Sequence, residues 1–162
     1  MARVTRSRLV PATPGEVWRL VSDPYNLPRW WPRTTRVEAV RETGAGSRSR
    51  WTKVLLTKRG SVVRADFRSI SSAEGERFVW EQELKNTPFE KLLRNNRLAI
   101  TLSVEGAGTN VTLEADQAMR GLSRLGRPMA SRAARRTLSE ALTGIERSFA
   151  EADEAIDKQV AQ

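Results

Sequence analysis

Residues 128–156 read PMASRAARRTLSEALTGIERSFAEADEAI, and this stretch predicts one long amphipathic helix. Its apolar residues recur at steps of four and three, which places them on one helix face: Leu138, Leu142, Ile145, Phe149, Ala152 and Ile156. A helix of about 29 residues is roughly 43 Å long, which is more than a small domain needs unless a sheet wraps around it.

The two halves of this helix face differ in side-chain size. The second half carries large side chains, whereas the first half offers mostly small ones: Ala130, Ala133, Ala134, Thr137 and Ala141. Because alanines cannot fill the space in front of a sheet, the contrast predicts a cavity beside the first half of the helix.

The composition is that of a globular protein. The 162 residues are 39% hydrophobic and 29% charged, which fits a single domain over residues 1–162. The absence of cysteine excludes disulfides and thiolate metal sites, and the absence of histidine removes the commonest general base and metal ligand. We therefore expect neither metal nor cofactor. The N-terminal residues lack the apolar run of a signal peptide, and no stretch is long enough to span a membrane, so we expect a cytoplasmic protein.

The net charge of +9 is carried almost entirely by arginine. Lysine accounts for five of the 28 basic residues. This bias indicates a general preference for arginine in the composition more than a surface that binds nucleic acid. We therefore expect no specific nucleic-acid partner. One run contains no acidic residue and lies at the start of the long helix: Arg120, Arg124, Arg127, Arg132, Arg135 and Arg136. This run predicts either a basic surface or a site for an anionic partner. The sequence does not indicate an oligomeric state.

The rest of the chain predicts an α+β fold. A strand at 3–10 precedes two short helices, the first capped by Thr13 with Glu16 and the second by Asp23. Segments rich in β-formers and separated by glycine-containing turns then predict antiparallel strands at 35–40, 50–57, 62–70, 78–84, 96–104 and 110–119. Six or seven strands followed by one long helix fit α+β, not alternating βαβ units.

Strand alternation selects the inward-facing side chains. Phe78, Trp80 and Leu84 share a face with Gln82, and Val111, Leu113, Ala115 and Met119 share a face with Gln117. A fully apolar face is predicted for Leu98, Ile100, Leu102 and Val104, whereas the strand at 50–57 is ambiguous between its two faces. The two inward glutamines either bind a ligand or satisfy each other, backbone or water.

Candidates for acid–base chemistry face away from this interior. Alternation sends Asp66, Glu81 and Glu83 outward, together with Val79, and the single tyrosine, Tyr25, lies among the short helices. A solvated strand face explains the carboxylates better than catalysis does, and we therefore expect no catalytic residue among them.

Several motifs resemble one known family. They are ATPGEVW at 12–18, SDP at 22–24, WWP at 30–32, WEQEL at 80–84, TPF at 87–89 and GTNVT at 108–112. This pattern is similar to START-like proteins of the SRPBCC superfamily, and more narrowly to their polyketide cyclase/dehydrase branch. The resemblance implies a helix-grip fold, in which a curved antiparallel sheet wraps around the C-terminal helix with a cavity between them. It also implies binding of lipids, sterols, polyketides or hormones, with cyclisation or dehydration in a minority of members.

These arguments together predict a ligand cavity between sheet and helix. Its lining is expected to comprise Trp30, Phe67, Trp80, Gln82, Phe89, Gln117, Met119, Met129, Ala133 and Thr137, with Trp30 and Phe89 nearer the mouth. The favoured function is binding, transport or sequestration of a hydrophobic or aromatic small molecule. The alternatives are a polyketide cyclase/dehydratase acting in the same cavity and an anionic-partner binder that uses the arginine run. The sequence does not settle whether the protein is an enzyme, and it names no ligand.

Overall fold

A computed structural model of the chain describes residues 2–42, 49–121 and 126–161. Its elements in chain order are β1 (Ala2–Val10), α1 (Pro14–Val21), a 3-10 turn (Pro24–Asn26), α2 (Leu27–Trp30), β2 (Thr34–Glu42), β3 (Ser49–Leu56), β4 (Val62–Ala73), β5 (Arg77–Gln82), a second 3-10 turn (Pro88–Lys91), β6 (Leu93–Glu105), β7 (Gly108–Met119) and α3 (Gly126–Val160).

The strands form one antiparallel sheet of seven, in the order β1-β7-β6-β5-β4-β3-β2. Strands β2 to β7 are therefore neighbours in sequence order, and β1 closes the sheet against β7. The middle of α3 packs on the sheet, where Leu138, Leu142 and Ile145 are fully buried in the core. The predicted α+β architecture is confirmed.

The helix starts are built as the sequence predicts. The Thr13 hydroxyl accepts a hydrogen bond from the Glu16 backbone N–H, and the Glu16 carboxylate accepts one from the Thr13 N–H, both at 3.2 Å. Asp23 accepts from the Tyr25 N–H at 3.0 Å and caps the following 3-10 turn. These caps satisfy backbone donors that a helix leaves unpaired at its start.

The helix α3 is longer than predicted, and its buried stripe is shorter. Phe149 is half-buried against the core, whereas Ile156 is 57% exposed, so the prediction that Ile156 belongs to the core is wrong. The helix runs on to Val160, where its side chains are exposed. The side chain of Ala152 lies outside the described part of the chain.

Two strand predictions also need correction. Strand β5 ends at Gln82, so Leu84 lies in the following turn. Val104, which we predicted on an apolar inner face, is 72% exposed because β6 continues past the core towards the hairpin at Gly106. Val79 occupies the outer face as predicted but is buried there, opposite Ser71 and Ala99 on the neighbouring strands.

The ambiguous strand, β3, directs Trp51, Lys53 and Leu55 inward. Trp51 stacks on Phe67 of β4, with 6.2 Å between ring centroids and 11° between ring planes. Lys53 is buried and Leu55 is half-buried against the core. Within the described ranges, no helix is both long enough and apolar enough to cross a membrane.

Candidate functional site

A cavity of about 730 Å³ lies between the concave face of the sheet and the first half of α3. Its sheet walls come from β3 to β7, and its remaining walls come from Trp31, from Phe89 in the second 3-10 turn and from α3. Most of the lining is apolar, including Leu55, Ala65, Leu93, Leu98, Ala115 and Leu138. Its volume and its apolar lining are typical of small-molecule sites in proteins.

The structure brings most of the predicted site residues together in this cavity. Those that line it are Phe67, Trp80, Gln82, Phe89, Gln117, Met119, Met129, Ala133 and Thr137. Met129 is 73% exposed, which places it at the rim. The role of these residues in binding stays a prediction.

Trp30 does not line the cavity. It is buried in the core and contacts the rings of Trp31 and Trp80, with centroid distances of 5.6 and 5.9 Å. Trp31 lines the cavity instead. Helix α2 ends at Trp30 and the backbone is extended at Trp31, so the two adjacent side chains leave the chain in different directions. Our prediction that Trp30 lines the cavity near its mouth is therefore wrong, and Trp31 takes that place in the lining.

Small side chains on α3 leave the space that the cavity occupies. Ala130, Ala133, Ala134 and Thr137 line it, and Leu138 closes its inner end. Ala141, which we grouped with these residues, is fully buried in the core one turn further along. The boundary between open and packed sheet therefore falls at Leu138.

Gln82 is the buried amide of the site. Its side-chain oxygen accepts a hydrogen bond from the Asn96 amide at 3.0 Å, whereas its side-chain nitrogen is buried and has no hydrogen-bond partner among the residues that the structure describes. Gln82 thus pairs with Asn96 and not with Gln117, which lies opposite Asn96 on β7. An unpaired buried N–H group costs about 1–3 kcal/mol, so this donor is available to an acceptor inside the cavity.

Lys53 is a buried lining residue that the sequence did not lead us to predict, as it did not for Asn96 and Arg97. Its side chain is 2% exposed and lines the cavity from β3. The ammonium nitrogen lies 4.2 Å from the ring centroid of Phe67, 4.5 Å from that of Trp31 and 5.6 Å from that of Trp80. Among the described residues, no carboxylate forms an ion pair with it.

This environment makes Lys53 an unusual lysine. Burial lowers the pKa of its ammonium group from the ordinary 10.5 to about 7, because the charged form loses its hydration. The three aromatic faces favour the charged form, and each such contact is worth about 0.5–2 kcal/mol. Lys53 can therefore exchange a proton near neutral pH.

A signal for Lys53 was present in the sequence. Trp51, Lys53 and Leu55 alternate along one strand, so an inward Trp51 carries Lys53 inward with it. However, Val54 and Leu56 make the opposite face of the strand equally apolar, so alternation alone did not show which face points inward. In the structure Val54 is buried on that opposite face.

The carboxylates that we considered for catalysis lie on the outer face of the sheet. Glu81 receives hydrogen bonds from Arg68 and Arg97, and Asp66 accepts one from the Thr52 hydroxyl at 2.7 Å. Tyr25 is exposed. None of these side chains lines the cavity, so the titratable groups in the described part of its lining are cationic: the buried Lys53 and the half-exposed Arg97.

Comparison with known structures relates this architecture to other proteins. TTHA0849 from Thermus thermophilus superposes with a TM-score of 0.74 at 23% identity, covering 93% of this chain and 98% of that one. The aromatase/cyclase Zhui from Streptomyces sp. R1128 gives 0.72 at 17% identity, covering 90% and 92%. A START superfamily protein from Mycobacterium smegmatis gives 0.73 at 16% identity, covering 93% and 98%. At these identities the likeness establishes the fold alone.

The family of the protein is established by its amino-acid sequence and not by the structural likeness. No curated protein matches it significantly. The model of the family described as "Polyketide cyclase / dehydrase and lipid transport" matches residues 1–150. The predicted resemblance to this family is thereby confirmed, as is the helix-grip fold by the structural likeness, and the chain belongs to the polyketide cyclase/dehydrase and lipid transport family.

Proposed function

We propose that this protein binds a hydrophobic or aromatic small molecule, such as a lipid or a polyketide, in the cavity between the sheet and α3. The observation that carries this proposal is the cavity of about 730 Å³, which lies where small helix side chains face an apolar sheet. Flat aromatic walls at Trp31, Phe67 and Trp80 suit a ligand with rings or conjugated bonds. The bound molecule would be carried or sequestered without chemical change.

The test fills the cavity by enlarging one side chain of α3. Ala133 lines the cavity yet is exposed, so Ala133→Phe adds a ring without displacing a core side chain. We expect the variant to fold normally and to bind the neutral fluorescent probe N-phenyl-1-naphthylamine at least about tenfold more weakly than the wild type. Ala150→Phe, at an exposed alanine of α3 away from the cavity, is the matched control and should bind normally.

Two results would count against binding in this cavity. One is normal probe affinity in Ala133→Phe. The other is destabilisation of that variant by the roughly 1–3 kcal/mol typical of overpacking, since the small residues would then serve close packing instead of leaving a void. Native mass spectrometry of the purified protein, looking for a retained small molecule, gives an independent readout.

A second candidate function is cyclisation or dehydration of a polyketide in the same cavity. The observation that favours it is Lys53, because general acid–base chemistry needs a group that titrates near the working pH. Two proteins with a similar fold bear names of this kind: the aromatase/cyclase Zhui and the di-domain ARO/CYC StfQ. StfQ superposes with a TM-score of 0.77 at 15% identity over 95% of this chain and 52% of that one.

An assay for product formation distinguishes a binding protein from a polyketide cyclase or dehydratase. Incubation with a linear poly-β-ketone thioester mimic should yield a cyclised or dehydrated product by mass spectrometry if the chain is an enzyme, and Lys53→Met should abolish that product. An unchanged mimic that is nevertheless bound favours the non-covalent carrier.

A further inference from the structure

We propose that Lys53 and Gln82 form the acid-binding end of this cavity, so that the ligand is an aromatic or hydrophobic molecule carrying a carboxylate or another ionised oxygen. This inference rests on the proposed function, since it assigns the chemistry of a molecule bound in the same cavity. It goes beyond a general apolar pocket because it specifies one charged group and where that group lies.

Lys53 is a buried cation that has no counter-ion among the described side chains. Lys53 is 2% exposed, and the groups around its ammonium nitrogen are the rings of Phe67, Trp31 and Trp80. Taking a charge out of water costs several kcal/mol unless an opposite charge accompanies it. Because no described carboxylate forms an ion pair with Lys53, an anion delivered by a ligand would supply the missing partner.

Gln82 provides a second, independent observation. The residue is 8% exposed, its side-chain oxygen accepts a hydrogen bond from Asn96, and its side-chain nitrogen has no partner within the described parts of the chain. Phe67 lies opposite Gln82 in the sheet register, and its ring contacts the Lys53 ammonium. Lys53 and Gln82 are thus both neighbours of Phe67 in the wall of one cavity. The Lys53 ammonium and the Gln82 amide nitrogen are both hydrogen-bond donors, so they select a ligand group that only accepts, which an ionised oxygen does.

Other charged groups near Lys53 leave this assignment intact. The carboxylates on β4, β5 and β7 lie on the outer face of the sheet. Asp66 interacts with Thr52, Glu81 with Arg68 and Arg97, and Asp116 with Arg3. On β6, Arg97 reaches the cavity edge but is paired with Glu81 at 3.2 Å. On α3, the arginines that flank the lining residues are exposed, including Arg132 and Arg135. Lys53 is therefore the buried cation without a paired carboxylate in the described cavity wall.

The experiment compares two probes that differ in charge and little in shape: 2-naphthoate and 2-naphthalenemethanol, each displacing N-phenyl-1-naphthylamine. We expect the wild type to prefer naphthoate by at least about tenfold at pH 7. Lys53→Met, which keeps the stem of the side chain, should lose this preference while binding the alcohol within about threefold of the wild type. Gln82→Leu should reduce the preference by a smaller factor, and Lys58→Met, at an exposed lysine, should leave it unchanged.

Proton linkage provides a readout that a merely structural lysine would not give. An anion beside Lys53 favours its charged form, so naphthoate should take up close to one proton per site at pH 8 and almost none at pH 6. Isothermal titration calorimetry in buffers of different ionisation enthalpy measures this number. Lys53→Met should show no proton uptake at either pH.

The outcomes distinguish the two proposals. Equal affinity of the wild type for both probes, or an intact naphthoate preference in Lys53→Met, overturns the acid-binding end and leaves the apolar cavity standing. If neither probe displaces N-phenyl-1-naphthylamine, or if that dye does not bind, the proposed function fails and the acid-binding end falls with it. Tighter binding of the alcohol would also overturn the inference, because it would mean that Lys53 binds in its neutral form.

Discussion

Gly144 of α3 packs directly against the backbone of Trp30, so closely that a Cβ added to the glycine would lie 2.7 Å from the Trp30 Cα atom. This contact fixes α2 on α3 and keeps Trp30 in the core. It also places the next residue, Trp31, where its ring can line the cavity beside Lys53. Gly144 thus helps to position one wall of the site.

We expect Gly144→Ala to destabilise the protein although alanine is the better helix former. The added methyl group meets backbone atoms of Trp30, which cannot move aside as a flexible side chain can, and overpacking of this kind costs about 1–3 kcal/mol. Gly15→Ala is the matched control, because the only atom near its added Cβ is the end of Arg19 at 3.9 Å. It should be neutral or stabilising by up to about 1 kcal/mol. Urea unfolding measures whether each substitution lowers or raises the free energy of unfolding. A Gly144→Ala variant as stable as the wild type would disprove the tight contact.

Replacing single large side chains of α3 by alanine locates the point at which the helix leaves the core. Phe149 is half-buried against the core, so Phe149→Ala should cost about 2–3 kcal/mol, below the 3–5 typical of a fully buried phenylalanine. Ile156→Ala should change the free energy of unfolding by no more than about 0.5 kcal/mol, since its side chain is exposed. Equal losses in the two variants would contradict this boundary.

Strand alternation and helical spacing predicted most of the fold and of the cavity wall. Both periodicities are local, and they hold wherever one face of an element packs on a single core. The prediction went wrong at Ile156 and Val104 because periodicity does not report where the opposing element stops. An apolar residue with nothing opposite it looks the same in a sequence as a buried one.

Lys53 escaped prediction for a different reason. Lysine is almost never fully buried unless it is paired, so an inward lysine is rejected on general grounds. Only the tertiary arrangement of Trp31, Phe67 and Trp80 around the ammonium nitrogen shows how burial is tolerated here. These rings come from segments far apart in the chain. The choice between Trp30 and Trp31 needed the same long-range information.

The basic surface leads to an expectation about nucleic acid. Several arginines are engaged within the protein: Arg68 and Arg97 bind Glu81, Arg136 binds Glu140, and Arg120 donates to the Glu90 carbonyl. Arg124 lies outside the described residues. We expect binding of a fluorescein-labelled DNA duplex to be weak at about 150 mM salt and to fall steeply as salt rises, as for contacts with phosphate alone. Tight, sequence-selective binding in fluorescence anisotropy would instead support an anionic partner for the arginine run.

The buried lysine predicts an unusual dependence of stability on pH. Its pKa in the folded protein is about 7, below the ordinary 10.5 that applies to the unfolded chain. Between these values the unfolded state binds more protons than the folded state, so the free energy of unfolding rises with pH through this window. The contribution of one group is at most about 1.4 kcal/mol per pH unit. Below pH 7 both states are protonated, and the folded protein bears the full cost of the buried charge.

Comparison with a variant isolates this effect from the other titrating groups. Lys53→Met removes the buried charge and keeps the apolar stem, so we expect it to be more stable than the wild type at pH 6. Its advantage should shrink steadily from pH 7 to pH 10, as the wild type folds with a neutral amine. Lys58→Met, at an exposed lysine, should track the wild type at every pH. Urea unfolding at pH 6, 7.5 and 9 measures the three curves, and a constant gap between Lys53→Met and the wild type would mean that Lys53 keeps an ordinary pKa.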